Sequence, residues 1–257
     1  MAIKNADGLI SVSTAYIDDL KARYPEIKNI PSATITFGAF EPDMIIAGEN
    51  KGSFSDLLGH DTINIVYIGR GGGAGMHRSV IPVFKALRAA LKNDQSAFNR
   101  LKFYFIGTSY APLGKGKPTV KPLAEKYGIG DRVIEITDRV SYYHALATLM
   151  RADALFIPGS DDSRYTASKI YPYLLTGKPL LAVFNPESSA ISILKEYGAA
   201  HVYNYEQVSQ QSIISFLKQV IDGDTQTAQY SPGAIDKYSA QQMTAQQCDV
   251  FNRVINE

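Results

Sequence analysis

From residue 61 onward, short apolar segments alternate with longer segments in which apolar residues recur every three or four positions. Short continuous apolar runs bounded by Gly, Pro or Asp are typical of strands buried on both faces, whereas the longer amphipathic segments are typical of helices. The pattern predicts six strands, at residues 63–69, 101–107, 132–137, 152–158, 179–184 and 200–205. Because helical segments separate these strands, the chain is expected to form an α/β domain with a doubly wound parallel sheet.

The first sixty residues follow a different pattern. Residues 1–45 contain two short strand-like segments and a helical segment for which Thr14 is the predicted N-cap. Residues 46–60 combine Gly with polar residues and predict a linker. Two or three elements cannot bury both faces of a sheet. We therefore expect residues 1–45 to pack on the main domain or to be part of a larger N-terminal domain.

The main domain is predicted to span residues 61–230 and to be followed by one more helix. Residues 231–257 predict that helix, beginning after Ser231 and Pro232, because proline suits the first turn of a helix.

Composition excludes several classes of function. The formal net charge is +1 and no block of like charge occurs, so no nucleic-acid partner is expected. A single cysteine, Cys248, excludes an internal disulfide, and no segment resembles a zinc framework. No apolar run approaches the roughly 20 residues that cross a bilayer. We expect a cytoplasmic protein that binds small molecules or proteins, and peripheral membrane association stays open.

A glycine-rich segment, "GRGGGAGMHRS" at residues 69–79, follows the first strand of the main domain. In a doubly wound sheet the ligand lies beyond the carboxyl ends of the strands. Glycines let backbone amides approach an anion closely, and Arg70 and Arg78 add positive charge. The segment predicts a phosphate site that includes Gly71 and Gly72. The alternative is a glycine loop with solvated arginines, because the spacing matches neither GxGxxG nor GxxxxGK[ST].

A second polar segment, "SDDSRYTASKIYPYLLTGKP" at residues 160–179, follows the fourth strand. With Ser168 as N-cap, Pro172 would be the fourth helical residue, where its missing N–H matters least. The Lys169 ammonium, the Ser168 hydroxyl and free amides such as that of Ile170 would then form an anion clamp suited to a diphosphate. The alternative is an ordinary cap beside a solvated lysine.

Four further residues of this segment are candidates for substrate binding. Asp161 and Asp162 are either turn residues or acceptors for sugar hydroxyl groups. Arg164 could pair with either aspartate, and Tyr165 is a stacking or a packing residue.

Five segments occur in an order that resembles a known family: "YIGR", "FIG", "GIGDRVIEI", "RADALFIPGS" and "SKIYPYLLTGKPLLAVF", within residues 67–184. They resemble the C-terminal, donor-nucleotide-binding domain of retaining glycosyltransferases with the GT-B fold, of the glycosyl transferases group 1 type. Residues 5–20 resemble the last strand and helix of that family's N-terminal, acceptor-side domain, and the final helix resembles the one that returns to it. The resemblance implies a Rossmann-like C-terminal half of a GT-B fold plus a remnant of the N-terminal domain.

The resemblance also implies an activity: transfer of a sugar, with retention, from a nucleoside-diphosphate sugar to a saccharide or lipid-linked acceptor, as in polysaccharide biosynthesis. Ser168 and Lys169 would be diphosphate ligands, and Arg70 would complete the clamp. The segment containing Arg139 would lie against the base, although a surface charge is the alternative. We expect Arg70, Lys169 and Asp162 to act in catalysis, with the cations stabilising the leaving diphosphate and with no metal and no cofactor other than the donor.

The chain departs from the family at two glutamates, whose places fall at Arg164 and Pro172. Asp161 or Asp162 could replace the first through a small shift of the loop. The departure leaves two alternatives open: a non-catalytic nucleotide-sugar-binding module, and a sugar-nucleotide epimerase of the same architecture. Whether this chain alone transfers sugar is also open.

Overall fold

The computed structural model describes residues 2–71, 73–162, 168–223, 234 and 236–256. The described strands are β1 (Leu9–Ser11), β2 (Ser32–Thr34), β3 (Ile63–Ile68), β4 (Leu101–Ile106), β5 (Val133–Ile136), β6 (Ala154–Pro158), β7 (Leu180–Phe184) and β8 (His201–Asn204). The described α-helices are α1 (Thr14–Arg23), α2 (Glu41–Glu49), α3 (Ala74–Asn93), α4 (Gln95–Phe98), α5 (Lys121–Lys126), α6 (Tyr142–Arg151), α7 (Ile170–Leu175), α8 (Ser189–Glu196), α9 (Gln210–Ile221) and α10 (Ala240–Asn256). Within this part of the chain no helix is long and apolar enough to cross a membrane.

The main sheet has six strands in the order β5-β4-β3-β6-β7-β8. Every pairing in it is parallel, and Ile65 of β3 pairs with Phe103 of β4 on one side and Ala154 of β6 on the other. The chain winds outward from β3 in one direction and from β6 in the other, so the switch point of the topology lies between these two strands. The six predicted strands and the doubly wound α/β fold are confirmed.

Both faces of this sheet are covered, which explains why the strands are apolar throughout rather than alternating. Strands β6 and β7 are buried along their whole length. On one face they and their neighbours pack against α3, α5 and α9, and on the other against α6, α7 and α8. The two layers hold the carboxyl ends of the strands in one row.

The N-terminal residues form a small sheet in which β1 and β2 pair in parallel. Its core consists of Leu9, Ile17 and Ile27. The structure differs from the predicted cap of α1, because Ser13 occupies the N-cap position and makes no side-chain cap hydrogen bond. Thr14 is the first helical residue, and its hydroxyl lies 3.0 Å from that of Thr34 in β2, which ties the helix to the sheet instead.

The predicted linker is partly helical. Helix α2 runs into residues 46–49, and Met44 and Ala47 on one of its faces pack against Leu146 of α6. The sequence pattern concealed this helix because its other face exposes Ile45 and Ile46, which removes the amphipathic contrast on which the prediction depends.

The last helix also begins later than predicted, at Ala240 rather than just after Pro232. It packs on the N-terminal elements, where Val250 and Val254 lie against Gly8. The segment that precedes α2 also contacts the segment that precedes α10, where Ala39 forms a bridge with Ser239.

Candidate functional site

A cavity of about 670 Å³ opens at the carboxyl ends of the central strands, a size typical of small-molecule sites. The loops after β3, β4, β5 and β6 line it, so it spans the switch point of the sheet. These four loops contribute Arg70, Tyr110, Arg139 and Lys169 respectively. Cations from three different loops thus converge on one space.

Lys169 is the least exposed of the three cationic residues that line this cavity. Its ammonium donates a hydrogen bond of 2.6 Å to the Tyr67 hydroxyl and lies 4.3 Å from the centre of the Tyr67 ring. The Tyr67 hydroxyl in turn donates to the Arg70 carbonyl at 2.8 Å. This chain of contacts links the end of β3 to the start of α7.

Gly69 makes room for this arrangement. Its φ of +146° is one that L side chains rarely adopt. A Cβ built at this position would collide with the Lys169 ammonium. Glycine at residue 69 is therefore required both by the backbone and by the position of the lysine.

Desolvation lowers the pKa of Lys169 from 10.5 to about 8. A tyrosine hydroxyl and ring compensate for lost water only in part, because neither carries a full negative charge. The charged form of Lys169 is consequently destabilised in the ligand-free protein, and an anion bound in the cavity would stabilise it.

The two arginines of the cavity both lie close to the Tyr110 ring. The Arg139 guanidinium is 5.0 Å and the Arg70 guanidinium 5.8 Å from the centre of the Tyr110 ring. Both arginines are exposed. They add solvent-exposed positive charge to a site in which Lys169 is the partly buried cation.

The loop after β6 contributes polar groups at the opposite end. Asp162 and Ser160 line the cavity, and the Asp162 amide donates to Ser160 Oγ at 3.2 Å. Asp161 is exposed; its backbone amide donates to the Gly75 carbonyl at 2.7 Å and its carbonyl accepts from Asn185, and the sugar contact predicted for its side chain stays a prediction. In the described part of the chain, His, Cys, Asp and Glu side chains form no group of three that could hold a metal.

Helix α7 starts one residue later than the sequence predicts, at Ile170 rather than at Lys169. Lys169, not Ser168, is its N-cap, and the first hydrogen bond runs from the Tyr173 amide to the Lys169 carbonyl. The reason is Pro172, which has no N–H to donate to the Ser168 carbonyl. Ser168 remains an exposed residue of the cavity lining, whereas the Ile170 side chain is fully buried in the core. The role predicted for the Ile170 amide stays a prediction.

The glycine-rich segment is also less of a loop than predicted, because α3 begins at Ala74 directly after Gly73, which has a φ of +58°. Two predicted phosphate ligands are engaged elsewhere. Arg78 lies in the helix, 3.1 Å from Glu206 and 4.2 Å from the Tyr205 ring centre, and the Gly71 amide donates to the Thr108 carbonyl. Neither residue is part of the cavity lining, and their roles as phosphate ligands stay predictions.

The described residues bring together Arg70, Arg139, Asp162, Ser168 and Lys169 around the cavity. Three other predicted site residues lie outside the described residues: Gly72, Arg164 and Tyr165. Their roles stay predictions.

Sequence reasoning missed Tyr67 and Tyr110. Tyr67 was concealed within a strand pattern, although a buried tyrosine normally needs a partner for its hydroxyl and so carries a signal. Tyr110 follows β4 in a polar segment with no periodic pattern, and only its contact with two arginines reveals it.

No protein-family model matches this sequence, and no curated protein matches it either. Solved structures do match. An alpha,alpha-trehalose 6-phosphate synthase from Burkholderia multivorans has a TM-score of 0.68 at 10% identity, covering 99% of this chain and 61% of its own. WaaG, a glycosyltransferase involved in lipopolysaccharide biosynthesis, has a TM-score of 0.58 at 14% identity, covering 94% of this chain and 61% of its own.

A third match is a mutant TarM from S. aureus in complex with fondaparinux, alpha-GlcNAc-glycerol and UDP, with a TM-score of 0.57 at 14% identity. It covers 97% of this chain and 45% of its own. The chain thus spans about half to three fifths of the length of these structures. It has the fold of the C-terminal part of GT-B glycosyltransferases, a six-stranded parallel sheet between two layers of helices.

Proposed function

We propose that this chain binds a nucleoside-diphosphate sugar in the cavity at the switch point of its main sheet, and that it serves in retaining transfer of the sugar to a saccharide or lipid-linked acceptor. The observation that carries the proposal is the Lys169 ammonium, which is partly buried against Tyr67 and set beside two further cations, Arg70 and Arg139. A diphosphate supplies the negative charge that such a group of cations favours.

The reaction fits this charge distribution. Breaking the bond between the anomeric carbon and the donor oxygen leaves negative charge on the departing diphosphate. Fixed cations aimed at that charge stabilise it more in the transition state than in the ground state. Lys169 and Arg70 would perform this task without a metal or another cofactor, and Asp162 would lie on the side of the sugar.

The comparisons support this proposal through fold and through the ligands of other proteins. TarM was solved with UDP, and a matching Burkholderia xenovorans trehalose-phosphate synthase is described as UDP-forming. Such enzymes release a nucleoside diphosphate, which is the anion that the cavity of this chain suits.

Binding can be tested by thermal shift with UDP-, GDP- and TDP-glucose. We expect at least one of them to raise the Tm of the wild-type chain and of Lys85→Met, which removes an exposed lysine of α3 outside the cavity lining. Lys169→Met should lose most of that rise. If none of the three sugars raises the Tm, or if Lys169→Met responds as the wild type does, the proposal is wrong.

A non-catalytic nucleotide-sugar-binding module is the second candidate. It is favoured by Pro172, which takes the place of a family glutamate and has no carboxylate to offer. Release of nucleoside diphosphate from the bound donor, with and without saccharide acceptors, separates the two. Binding with no turnover under any acceptor condition would favour the module, and turnover with an α-linked product from an α-linked donor would favour the transferase.

A further inference from the structure

Tyr110 stands out among the aromatic side chains of the cavity because it is 67% exposed. One exposed aromatic is ordinary on a protein surface and suggests nothing alone. Here, however, the side chain lines the cavity, and the guanidinium groups of Arg70 and Arg139 lie 5.8 Å and 5.0 Å from the ring centre. Because most of the side chain is still exposed, a ligand can reach the ring at this cationic site.

The turn that presents Tyr110 is fixed to the neighbouring loop. The Ser109 amide donates to the Thr137 carbonyl at 3.0 Å, and the Gly114 amide donates to Asp138 Oδ1 at 2.8 Å. Gly116 approaches Thr137 so closely that a Cβ would lie 2.6 Å from the Thr137 Cβ. The turn that carries the exposed ring is therefore fixed to the neighbouring loop.

The other end of the same segment is anchored by Glu135 in β5. Its carboxylate accepts the Thr108 hydroxyl at 2.8 Å. It also accepts the backbone amides of Thr119, Val120 and Lys121, at 2.7–3.1 Å. A charged acceptor with this many donors holds a segment firmly, so both flanks of Tyr110 are ordered before a ligand arrives.

The order of the strands gives the cavity a direction. From β5 to β6 its loops carry Arg139, Tyr110, Arg70 and then Lys169 with Asp162, over a distance of roughly 14 Å at about 4.8 Å per strand. Lys169 and Arg70 suit the diphosphate, and Asp162 beyond them suits sugar hydroxyl groups. The end of the cavity that contains Tyr110 is left for the remaining part of the donor, the nucleoside.

We propose that Tyr110 is the stacking platform for the nucleobase of the donor, and so a determinant of affinity for the nucleoside. This inference rests on the proposed function. Stacking of a base on an aromatic side chain tolerates any base, because every base has a π-face. It is worth enough that removing the ring should weaken binding by about tenfold.

The test compares wild type, Tyr110→Leu and Tyr110→Phe by calorimetric titration with UDP, GDP, ADP, TDP and inorganic pyrophosphate. For the nucleoside diphosphate that the wild type binds best, Tyr110→Leu should raise the Kd by about tenfold. Tyr110→Phe keeps the ring and should stay within about twofold. The Kd for pyrophosphate should be unchanged within about twofold in all three proteins.

Other outcomes overturn the inference in distinguishable ways. Equal weakening of pyrophosphate and nucleoside diphosphate would show that Tyr110 only positions the arginines. An unchanged Kd for the nucleoside diphosphate together with a raised Kd for UDP-glucose would place the sugar, not the base, at Tyr110. Wild-type binding of pyrophosphate alone would overturn the base platform while leaving the anion site intact, whereas binding of neither would overturn the proposed function as well.

Discussion

Lys169 is in an unusual position for a lysine, since its partners among the described residues are the ring and hydroxyl of one tyrosine. Lowering its pKa from 10.5 to about 8 corresponds to roughly 3 kcal/mol against the charged form, because one pKa unit is about 1.4 kcal/mol. A residue retained for stability alone would have no reason to carry this penalty. An anionic ligand would remove most of it.

Replacing Lys169 with Met should therefore stabilise the ligand-free protein, by about 1–3 kcal/mol at pH 7, although it abolishes a hydrogen bond. The folded-state pKa is lower than the unfolded one, so between about pH 8 and 10.5 the unfolded chain binds the extra proton and the wild-type free energy of unfolding rises with pH. Urea denaturation at pH 7 and pH 10 checks both statements. Two results would contradict this description of the lysine: a Lys169→Met variant less stable than the wild type at pH 7, or a difference in free energy of unfolding between the two proteins that is no smaller at pH 10 than at pH 7.

Ligand binding should show the opposite dependence on pH. A diphosphate binds the protonated lysine, and with a pKa of about 8 the protonated fraction falls about tenfold between pH 7 and pH 9. The Kd for the best nucleoside diphosphate should rise by about that factor in the wild type. The same titration of Lys169→Met should be nearly flat over this range, and equal slopes for the two proteins would exclude Lys169 as the titrating group.

At the level of elements, the segment between β4 and α5 depends on a single carboxylate. Glu135 is part of β5, yet it accepts the first amides of α5 as well as the Thr108 hydroxyl. It thereby connects a strand, a helix start and the turn that carries Tyr110. Sequence patterns cannot reveal such an acceptor, because residues 108, 119 and 135 are far apart along the chain.

Glu135→Ala should lower the free energy of unfolding by about 2–3 kcal/mol, since it leaves several donors without their charged acceptor. Glu135→Gln keeps one oxygen acceptor, so its free energy of unfolding should fall by less than that of Glu135→Ala. Both variants should also bind nucleoside diphosphate more weakly, as the Tyr110 turn loosens, while binding of pyrophosphate changes less. Chemical denaturation followed by titration measures these effects. An Ala variant as stable as wild type would show that the anchoring is unimportant.

Strands and helices were predictable where the pattern of apolar residues was strong. Their boundaries were less predictable where a single glycine or proline determines the start of a helix. The strands of the main sheet are apolar because both faces are covered, and so they are evident from sequence alone. The starts of α3 and α7 were not, because Gly73 and Pro172 set them through backbone geometry and a missing N–H. For this reason Arg78 lies in α3 rather than in a loop, and it is not part of the cavity lining.

For the whole molecule, the sequence was sufficient for the fold and for the region of the site but not for its composition. The rule that ligands lie beyond the carboxyl ends of parallel strands located Arg70 and Lys169 correctly at the cavity. It could not identify Tyr67 and Tyr110, whose importance arises from contacts across strands. The net charge of +1 likewise gives no hint of a local cluster of cations.

The most direct test of the central claim is the pKa of Lys169 itself, measured by NMR of isotope-labelled lysine side chains and assigned with Lys169→Met. In the ligand-free protein we expect a pKa of about 8. Saturation with the best-binding nucleoside diphosphate should raise it by at least one unit, since the bound anion favours the charged form. A pKa that does not change when the nucleotide binds would show that Lys169 does not hold the diphosphate.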